Sequence, residues 1–555
     1  MLRDVVAGFL DSVTEREFDA PLIALLAARG FTDIHFLHGA FEFGKDFIAK
    51  GSKPADGDTG TGEPSSWLPH QFAIQSKAGD LGLAEWRAVR TQLDEARLDG
   101  LAHPSFDRAL PRAAVLLTTG RLVGAAGVQS QAYREAERRW GRPDCEFWDR
   151  ERLLEWLVDS PEAGLAGTSD GPVLALAGAI DGRQVTFAAL EHRARAWLPA
   201  VPGSLDAATD LAAEVAARSR RAAVEAAVLG NRLRRHGRID LAALTALLLL
   251  RAAWCHTLSE SPGTVPPARP EAARAAIRMF AGHAAELLEQ VEPVAKDPRA
   301  MLSAVSPTSF PHAAYPAACM RIVEILGLLG LLAAGATAAQ DASELAPPAD
   351  RVSRVVQDLL ENQPGCAHPI SDGFAVSLIA PAILTARHDP AAAQRYLSRS
   401  VVWVADRYDA NSGALGLAGT TADAGTEVAY LLGAPFENGP ARRSLSYLAT
   451  VLTDLAAIIP HSGDLYTDTV NDFLAVDADS QLLRADERRA QWRPDGAGVT
   501  LAPRVRYTEP MPPDSCAARH FQDPAPPVPA WDALALTSVT RDRHVVNVLR
   551  NNLLP

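Results

Sequence analysis

Cysteine is scarce in this sequence of 555 residues, and its distribution excludes two classes of protein. The five cysteines are odd in number, widely scattered and without a CxxC pair. A disulfide framework needs paired cysteines and a structural zinc site needs closely spaced ones, so we expect neither. This usage predicts a reducing, cytoplasmic location. The cysteines are Cys145, Cys255, Cys319, Cys366 and Cys516.

Long apolar runs and several common motifs are also missing. Residues 1–18 contain four acidic side chains, which are not typical of a secretory signal peptide. The longest apolar run, residues 325–339, is shorter than the roughly 20 residues that span a bilayer, and Glu324 precedes it. The run predicts a buried helix, and we expect no membrane association. The sequence contains no P-loop, GxSxG or HExxH motif.

Positive charge is the third feature in short supply. The chain has a net charge of −13, and residues 1–160 hold 19 Lys and Arg against 25 Asp and Glu, a balance of −6. Proteins that bind nucleic acid through its phosphates usually carry a basic surface, so this balance argues against such binding. Carboxylates that hold a metal, or charge segregated by face, would weaken that argument. Arg134, Arg138, Arg139 and Arg142 form either a basic edge or an ordinary solvated helix face.

Against these absences, residues 41–77 carry the most informative pattern in the chain. Asp46 stands immediately before a short apolar run, and a Gly-, Pro-, Ser- and Asp-rich loop follows at residues 50–66. Residues 71–77 then alternate between polar and apolar, which predicts a half-buried strand with Gln75 and Lys77 on one side. If the two segments pair as a hairpin, a carboxylate, an amide and an ammonium converge. Such a set suits a divalent-metal site that hydrolyses phosphodiesters.

The order of these elements resembles the PD-(D/E)xK nuclease superfamily, and specifically its Mrr-like restriction endonucleases, whose motif is D…QxK. The segment from Phe18-Asp19 to Gly30-Phe31 is similar to the family's first helix and turn. Residues 113–120 are similar to its fourth strand, and residues 145–157 to its closing strand and helix. The resemblance extends over residues 1–160. It implies a metal-dependent endonuclease with a central mixed sheet flanked by helices.

The resemblance assigns catalytic roles to three residues. Asp46 would be the primary ligand of Mg²⁺ or Mn²⁺, because hard cations prefer carboxylate oxygen. Gln75 would supply an amide oxygen where most of the superfamily has a carboxylate. Lys77 would orient the attacking water or stabilise charge on the phosphate. The alternative is structural: Asp46 would be a turn residue and Lys77 a surface strand residue.

A further acid should compensate for the neutral Gln75. Asp19, at the position of the family's Phe-Glu pair on the first helix, is the first candidate, and Glu17 and Glu42 are rivals. The separation of Asp46 from Gln75 along the chain exceeds the family's common spacing because of the loop at residues 50–66. Its composition predicts a flexible hairpin loop, and a flap that contacts substrate is the alternative.

The expected element order of residues 1–160 is α-β-β-β-α-β-α-β-α, an α/β fold with a central mixed sheet. Helices are predicted at residues 14–29, 83–98 and 125–140, and strands at 32–37, 45–49, 71–77, 113–119 and 144–148. Residues 161–500 predict an all-α, solenoid-like region for sensing or assembly. Its candidate helices are 204–229, 241–258, 270–292, 316–334, 349–361, 376–387, 391–407 and 442–459. Residues 501–555 predict a proline-rich extended segment and a last helix at 540–554.

The strongest basic cluster of the chain lies in the helical region. It could contact nucleic acid or a neighbouring subunit, and a solvated helix end is an equal alternative. Its members are Arg218, Arg220, Arg221, Arg232, Arg234, Arg235 and Arg238.

The sequence therefore predicts a Mg²⁺-dependent endodeoxyribonuclease, by analogy an effector of bacterial restriction or antiphage defence. The alternative is a non-catalytic, nucleic-acid-binding helical scaffold with a degenerate nuclease domain. We expect a homo-oligomer, at least a dimer, because one such site serves one strand at a time. A partner protein or small-molecule activator is a further possibility, and the sequence does not distinguish DNA from RNA.

Overall fold

A computed structural model of the chain describes residues 2–37, 44–54, 67–96, 103–142, 145–167, 171–199, 211–260, 269–305, 311–335, 346–420, 422–433, 440–460, 463–480, 483–484, 500–501 and 528–541. The chain divides into two compact units. The first comprises residues 1–175 and 223–228, and the second comprises residues 176–222 and 229–555.

The first unit is built on a mixed five-stranded sheet, as the sequence predicted at this coarse level. The strands lie in chain order across the sheet; the first two pairings are antiparallel and the last two parallel. The strands are β1 (Thr32–Phe36), β2 (Phe47–Pro54), β3 (Trp67–Lys77), β4 (Arg112–Thr118) and β5 (Cys145–Trp148). The helices are α1 (Leu2–Ser12), α2 (Glu15–Ala28), α3 (Leu83–Ala96), α4 (Ala125–Arg139) and α5 (Arg150–Asp159), and a 3₁₀ turn follows at Pro161–Leu165.

Helices cover both faces of this sheet, and each face has its own core. Helices α1, α2 and α5 pack on one face, where Phe18, Phe47 and Trp148 are buried together. Helices α3 and α4 pack on the other, where Trp86 and Tyr133 are in contact, with ring centroids 5.7 Å apart. Helix α1 was not predicted. It belongs to the first core and extends the fold by one element.

The hairpin of β2 and β3 is longer than predicted. Strand β2 continues to Pro54 and β3 begins at Trp67, with the two residues paired at the far end of the ladder. The first part of the expected flexible loop therefore belongs to the sheet. Gly51 fits there because it lies against an aromatic side chain: a Cβ at this position would come 2.8 Å from two ring carbons of Phe31. Residues 55–66 lie outside the described residues.

The second unit is predominantly helical, as predicted. The α-helix Gly171–Asp181 begins in the first unit and ends in the second. The α-helices that follow it are Phe187–Ala194, Leu211–Arg235, Ile239–Glu260, Glu271–Val291, Pro298–Val305, Pro311–Ala334, Ala349–Asn362, Ile379–His388, Pro390–Tyr408, Ala424–Leu432, Tyr447–Ile458, Gly463–Ala475 and Ala530–Thr540. Short 3₁₀ segments occur at Arg195–Trp197, Glu292–Val294, Pro364–Ala367, Asp372–Leu378 and Ala410–Ser412.

The all-α expectation needs one correction. Two pairs of two-residue strands interrupt the helices, one parallel and one antiparallel. They are too short to carry the periodic pattern from which strands are predicted. They join Leu445–Ser446 to Asp479–Ser480 and Leu483–Arg484 to Thr500–Leu501.

Two apolar helices form the centre of the helical unit. Within the described residues, Ile239–Leu258 and Ala313–Ala334 are long and apolar enough to cross a membrane, and 94% and 72% of their apolar windows are buried inside the protein. The second helix approaches Ile379–His388 closely at Gly327, where a Cβ would lie 2.6 Å from the backbone nitrogen of Pro381.

Helix Ala530–Thr540 completes this centre. Asp532 is fully buried and accepts hydrogen bonds from Trp254 Nε1 at 2.9 Å and from Arg269 Nη2 at 2.8 Å. Trp531 Nε1 donates to the carbonyl of Leu328 at 2.9 Å. Most of the predicted last helix, residues 540–554, and all of residues 502–527 lie outside the described residues.

Candidate active site

Asp46 is held by the two strands that flank the start of β2. Its backbone nitrogen donates to the carbonyl of Ile74 in β3 at 2.9 Å, and its carbonyl accepts from the nitrogen of Leu37 at 2.8 Å. The side-chain Oδ2 accepts from the backbone nitrogen of Ser76 at 2.7 Å and from Gln75 Nε2 at 2.5 Å. The backbone on both sides thus fixes the direction of this carboxylate.

The surroundings of Asp46 disfavour its charge. Burial raises the pKa of the Asp46 carboxyl above its ordinary value, and the negative charge of Glu15 acts in the same direction. The Ser76 hydrogen bond and the Lys77 ammonium oppose this rise without cancelling it. A carboxylate in this condition gains from a cation, because the cation would offset both burial and the neighbouring acid.

Lys77 ends β3 and points to an acid on α2. Its Nζ lies 3.1 Å from Glu15 Oε1, and the two side chains are 24% and 44% exposed. Glu15 is the first residue of α2, and a capping box fixes that helix end: Thr14 accepts from the Glu17 nitrogen, and the Glu17 side chain accepts from the Thr14 nitrogen at 3.0 Å. The cap therefore sets where Glu15 stands relative to Lys77.

The structure brings Asp46, Gln75 and Lys77 together at one end of the hairpin. Glu17, one of the predicted acids, is engaged in the capping box instead. Asp19 lies half-buried one helical turn after Glu15, and Glu42 lies outside the described residues. Glu15 was not predicted, although its position at the start of a capped helix is visible in the sequence.

Gln75 differs from its expected role in one respect. It is nearly fully buried, and its amide nitrogen, not its oxygen, faces Asp46. The amide oxygen would face the carboxylate site only after rotation of the terminal torsion by half a turn. Gln75 therefore orients Asp46 in this arrangement.

The site offers few ligands for a metal ion. Glu15 and Asp46 supply two carboxylates, and the described residues contain no group of three or more His, Cys, Asp or Glu side chains that could hold a metal. Mg²⁺ is usually bound through one or two carboxylates together with water and substrate phosphate. A metal held by these two carboxylates would take its remaining ligands from water and substrate.

A second lysine lies next to Asp46 in sequence but in a different environment. Lys45 is completely buried, with Nζ 3.5 Å from the carbonyl of Glu95 and 5.9 Å from the centroid of the Phe106 ring. Burial and the nearby Arg112 lower its pKa to about 8. Sequence reasoning did not single out this residue.

The arginine cluster of the second unit is partly neutralised within the chain. Arg221 and Arg235 are exposed, whereas Arg220 is half-buried and interacts within the protein. Each of the other four also has a partner: Arg218 donates to the Leu198 carbonyl, and Arg232, Arg234 and Arg238 pair with Asp181, Glu286 and Asp240. A nucleic-acid contact here would rest mainly on the exposed members.

No family model, curated protein or solved structure matches this chain. An acid at the start of a helix, an acid at the start of a strand, a buried amide and a strand-end lysine lie together at one end of a mixed sheet.

Proposed function

We propose that residues 1–160 form a metal-dependent endonuclease of the PD-(D/E)xK class, similar to the Mrr-like enzymes, that hydrolyses DNA phosphodiesters. The observation that carries the proposal is the grouping of Asp46, Gln75 and Lys77 with Glu15. These four come from two strands and a helix, and the order of Asp46, Gln75 and Lys77 matches the D…QxK motif that suggested the family. A mixed sheet with helices on both faces agrees with the restriction-endonuclease-like fold, which is part of the proposal.

The chemistry follows from the side chains. Asp46 and Glu15 would hold Mg²⁺ or Mn²⁺, which when bound supplies Lewis-acid stabilisation of the phosphate charge. Gln75 and the Ser76 nitrogen orient Asp46. Lys77, placed by its ion pair with Glu15, orients the attacking water or stabilises negative charge on the phosphate oxygens.

The helical unit would serve assembly and sensing. Because residues 1–160 carry a balance of −6, their own affinity for duplex DNA should be weak and strongly salt-dependent. A dimer held by the helical unit would place two sites on one duplex and add the exposed arginines of the cluster. A role as an effector of restriction or antiphage defence, with a partner protein or small molecule as activator, belongs to the same proposal.

A cleavage assay with the full-length chain tests the function. Supercoiled plasmid, linear duplex and RNA are incubated with Mg²⁺ or Mn²⁺, and with EDTA as the control without metal. Cleavage should require the cation and should fall at least about 100-fold in Asp46→Ala and in Lys77→Ala.

Lys50→Ala is the matched control for Lys77→Ala. Lys50 lies on β2 of the same sheet, pairs with Asp33 at 2.7 Å and has a similarly exposed side chain at 30%. It should cleave as the wild type does. Metal-dependent cleavage that persists in Asp46→Ala would refute the site. Binding of DNA without cleavage by the wild type would support the non-catalytic scaffold instead.

A further inference from the structure

A separate cavity lies in the first unit, away from Asp46. Its volume is about 440 Å³, within the range of roughly 300–1,000 Å³ that is usual for small-molecule sites. It opens between the turn after α2, the middle of β2 and the start of α5. We call it the aromatic–basic pocket and define it by Arg29, Lys53, Glu146, Trp148, Arg152 and Trp156.

One wall of the aromatic–basic pocket consists of two edge-to-face indole rings with guanidinium groups packed over them. The rings of Trp148 and Trp156 have centroids 5.0 Å apart. The Arg152 guanidinium lies over both rings, 5.5 and 5.2 Å from their centroids, and the Arg29 guanidinium lies 5.4 Å from that of Trp156. The Arg152 guanidinium, which packs over the two buried indoles and belongs to a side chain that is 45% exposed, offers a planar stacking surface to a flat ligand.

The remaining charges make the pocket locally positive. Glu146 accepts from Trp148 Nε1 at 2.8 Å, lies 2.6 Å from Lys53 Nζ and lies 3.6 Å from Arg152 Nη1. Although burial opposes it, these hydrogen bonds and positive charges hold the pKa of Glu146 below its ordinary value, so the carboxylate is ionised. Three cations and one carboxylate therefore line the pocket, in a domain whose overall charge is negative, and Arg29 also pairs with Asp159 at 3.1 Å.

We propose that the aromatic–basic pocket binds a single nucleotide. The base would stack on the Arg152 guanidinium, whose side chain is 45% exposed, and the phosphate would lie against Arg29 and Lys53. Glu146 would accept a hydrogen bond from the exocyclic amine of the base, a pairing that carboxylates make with cytosine. Stacking, positive charge and a single partly buried acceptor together match this ligand class.

Other ligand classes fit the pocket less well. A cationic ligand would meet three positive side chains, and guanidinium groups already cover the ring faces that it would need. An acidic peptide would satisfy the charges but would leave the stacking surface without a planar partner.

The nucleotide has two chemical sources. Lys53 follows Asp46 by seven residues along β2, so the pocket lies on the order of 20 Å from the proposed active site. At that separation it could hold one base of a bound strand, and it could equally hold a free nucleotide as effector. The pocket shares none of the residues of the Asp46 site, so its occupancy is measurable whether or not the chain cleaves DNA.

Calorimetric titration of the full-length Asp46→Asn protein in EDTA tests the inference without any cleavage. One arm uses the 5′-mono- and triphosphates of adenosine, guanosine, cytidine and thymidine. The other arm uses a ten-nucleotide single-stranded DNA. We expect saturable binding in at least one arm, weakened about tenfold when Arg152→Ala or Lys53→Met is added. Binding of free nucleotide identifies an effector, and binding of the oligonucleotide alone identifies a strand contact.

Arg142→Ala is the matched control. Arg142 also lies over an indole, 4.8 Å from the Trp140 centroid, and pairs with Glu137, but it lies outside the pocket. It should leave the affinity unchanged. Absence of saturable binding in both arms would overturn the inference, as would equal weakening by Arg142→Ala and Arg152→Ala. Circular dichroism of each variant establishes that it is folded.

Discussion

Replacement of Glu15 by glutamine is the sharpest test of the active site, because it changes charge and keeps size. Lys77 would lose an anionic partner whose oxygen lies 3.1 Å from its ammonium, and the site would lose one of its two carboxylates. Removal of a side chain that supports a metal site typically lowers metal affinity or activity 10–100-fold. We therefore expect cleavage at limiting Mg²⁺ to fall about 10–100-fold and to recover partly as Mg²⁺ is raised.

The same change should hardly affect stability. The side chains of Glu15 and Lys77 are 44% and 24% exposed, and ion pairs this accessible contribute only about 0.2–1 kcal/mol. The free energy of unfolding of Glu15→Gln should therefore lie within about 1 kcal/mol of the wild type. A large loss of activity with so small a change in stability would separate a role in the site from a role in holding α2.

The assay is plasmid nicking as a function of Mg²⁺ concentration, with Glu17→Gln as the matched control on the same helix. That variant keeps a side-chain oxygen that can accept from the Thr14 nitrogen, so its free energy of unfolding should lie within about 1 kcal/mol of the wild type. Its Mg²⁺ dependence should match the wild type. The reasoning is refuted if Glu15→Gln keeps the wild-type Mg²⁺ dependence while Glu17→Gln or Asp19→Asn loses cleavage.

Three further outcomes follow from buried charges. Asp46→Asn should lose cleavage yet unfold at pH 7 no more easily than the wild type, because a raised pKa means that the ionised carboxylate costs stability above that pKa; a clearly lower melting temperature would contradict this. Lys45→Met should abolish the gain in wild-type stability between about pH 8 and 10.5, where the folded chain has released a proton that the unfolded chain retains; an unchanged pH dependence would contradict it. Asp532→Ala removes the buried carboxylate that accepts hydrogen bonds from Arg269 and the Trp254 indole. The free energy of unfolding of the helical unit, measured with denaturant, should therefore fall by roughly 3–5 kcal/mol, and a fall below about 1 kcal/mol would refute that account.

The sheet and its hairpin were predictable because alternation and apolar runs carry local information. The predicted strand at residues 113–119 matches β4 closely, and the one at 71–77 matches the last part of β3, which begins four residues earlier. The extent of β2 was not predictable, since Gly51 and Pro54 are poor strand residues by propensity. Pairing with β3 overrides that propensity, as tertiary context commonly does in sheets.

The identity of the helix acid in the site could not be read from the sequence. Glu15 and Glu17 are separated by about 200° around the helix, so only one of them can face Lys77. Asp19 lies on nearly the same side as Glu15 but about 6 Å further along the axis. Choosing among them requires the rotation and height of α2 on the sheet, which are fixed by the packing of residues such as Phe18 and Leu22.

Long-range polar contacts could not be predicted from the sequence either, because they too depend on how the elements pack. Residues 372–378 form a 3₁₀ segment where part of an α-helix was predicted, and the buried Asp372 there accepts from the backbone nitrogens of Tyr447 and Leu448. These partners lie about 75 positions away in the chain. No periodic pattern reports such a pairing.

Helix Ala530–Thr540 has a consequence for the order in which the protein is made. It packs against Ile239–Glu260 and Pro311–Ala334, two helices that leave the ribosome long before it does. The first unit is complete at Val228, whereas this helix is complete only at Thr540. At about 5–20 residues per second, translation takes roughly 15–60 s to pass from one position to the other. During that interval the nascent chain holds all residues of the unit that carries the Asp46 site, while the two helices that are apolar enough, among the described residues, to cross a membrane still lack the cover that Ala530–Thr540 provides.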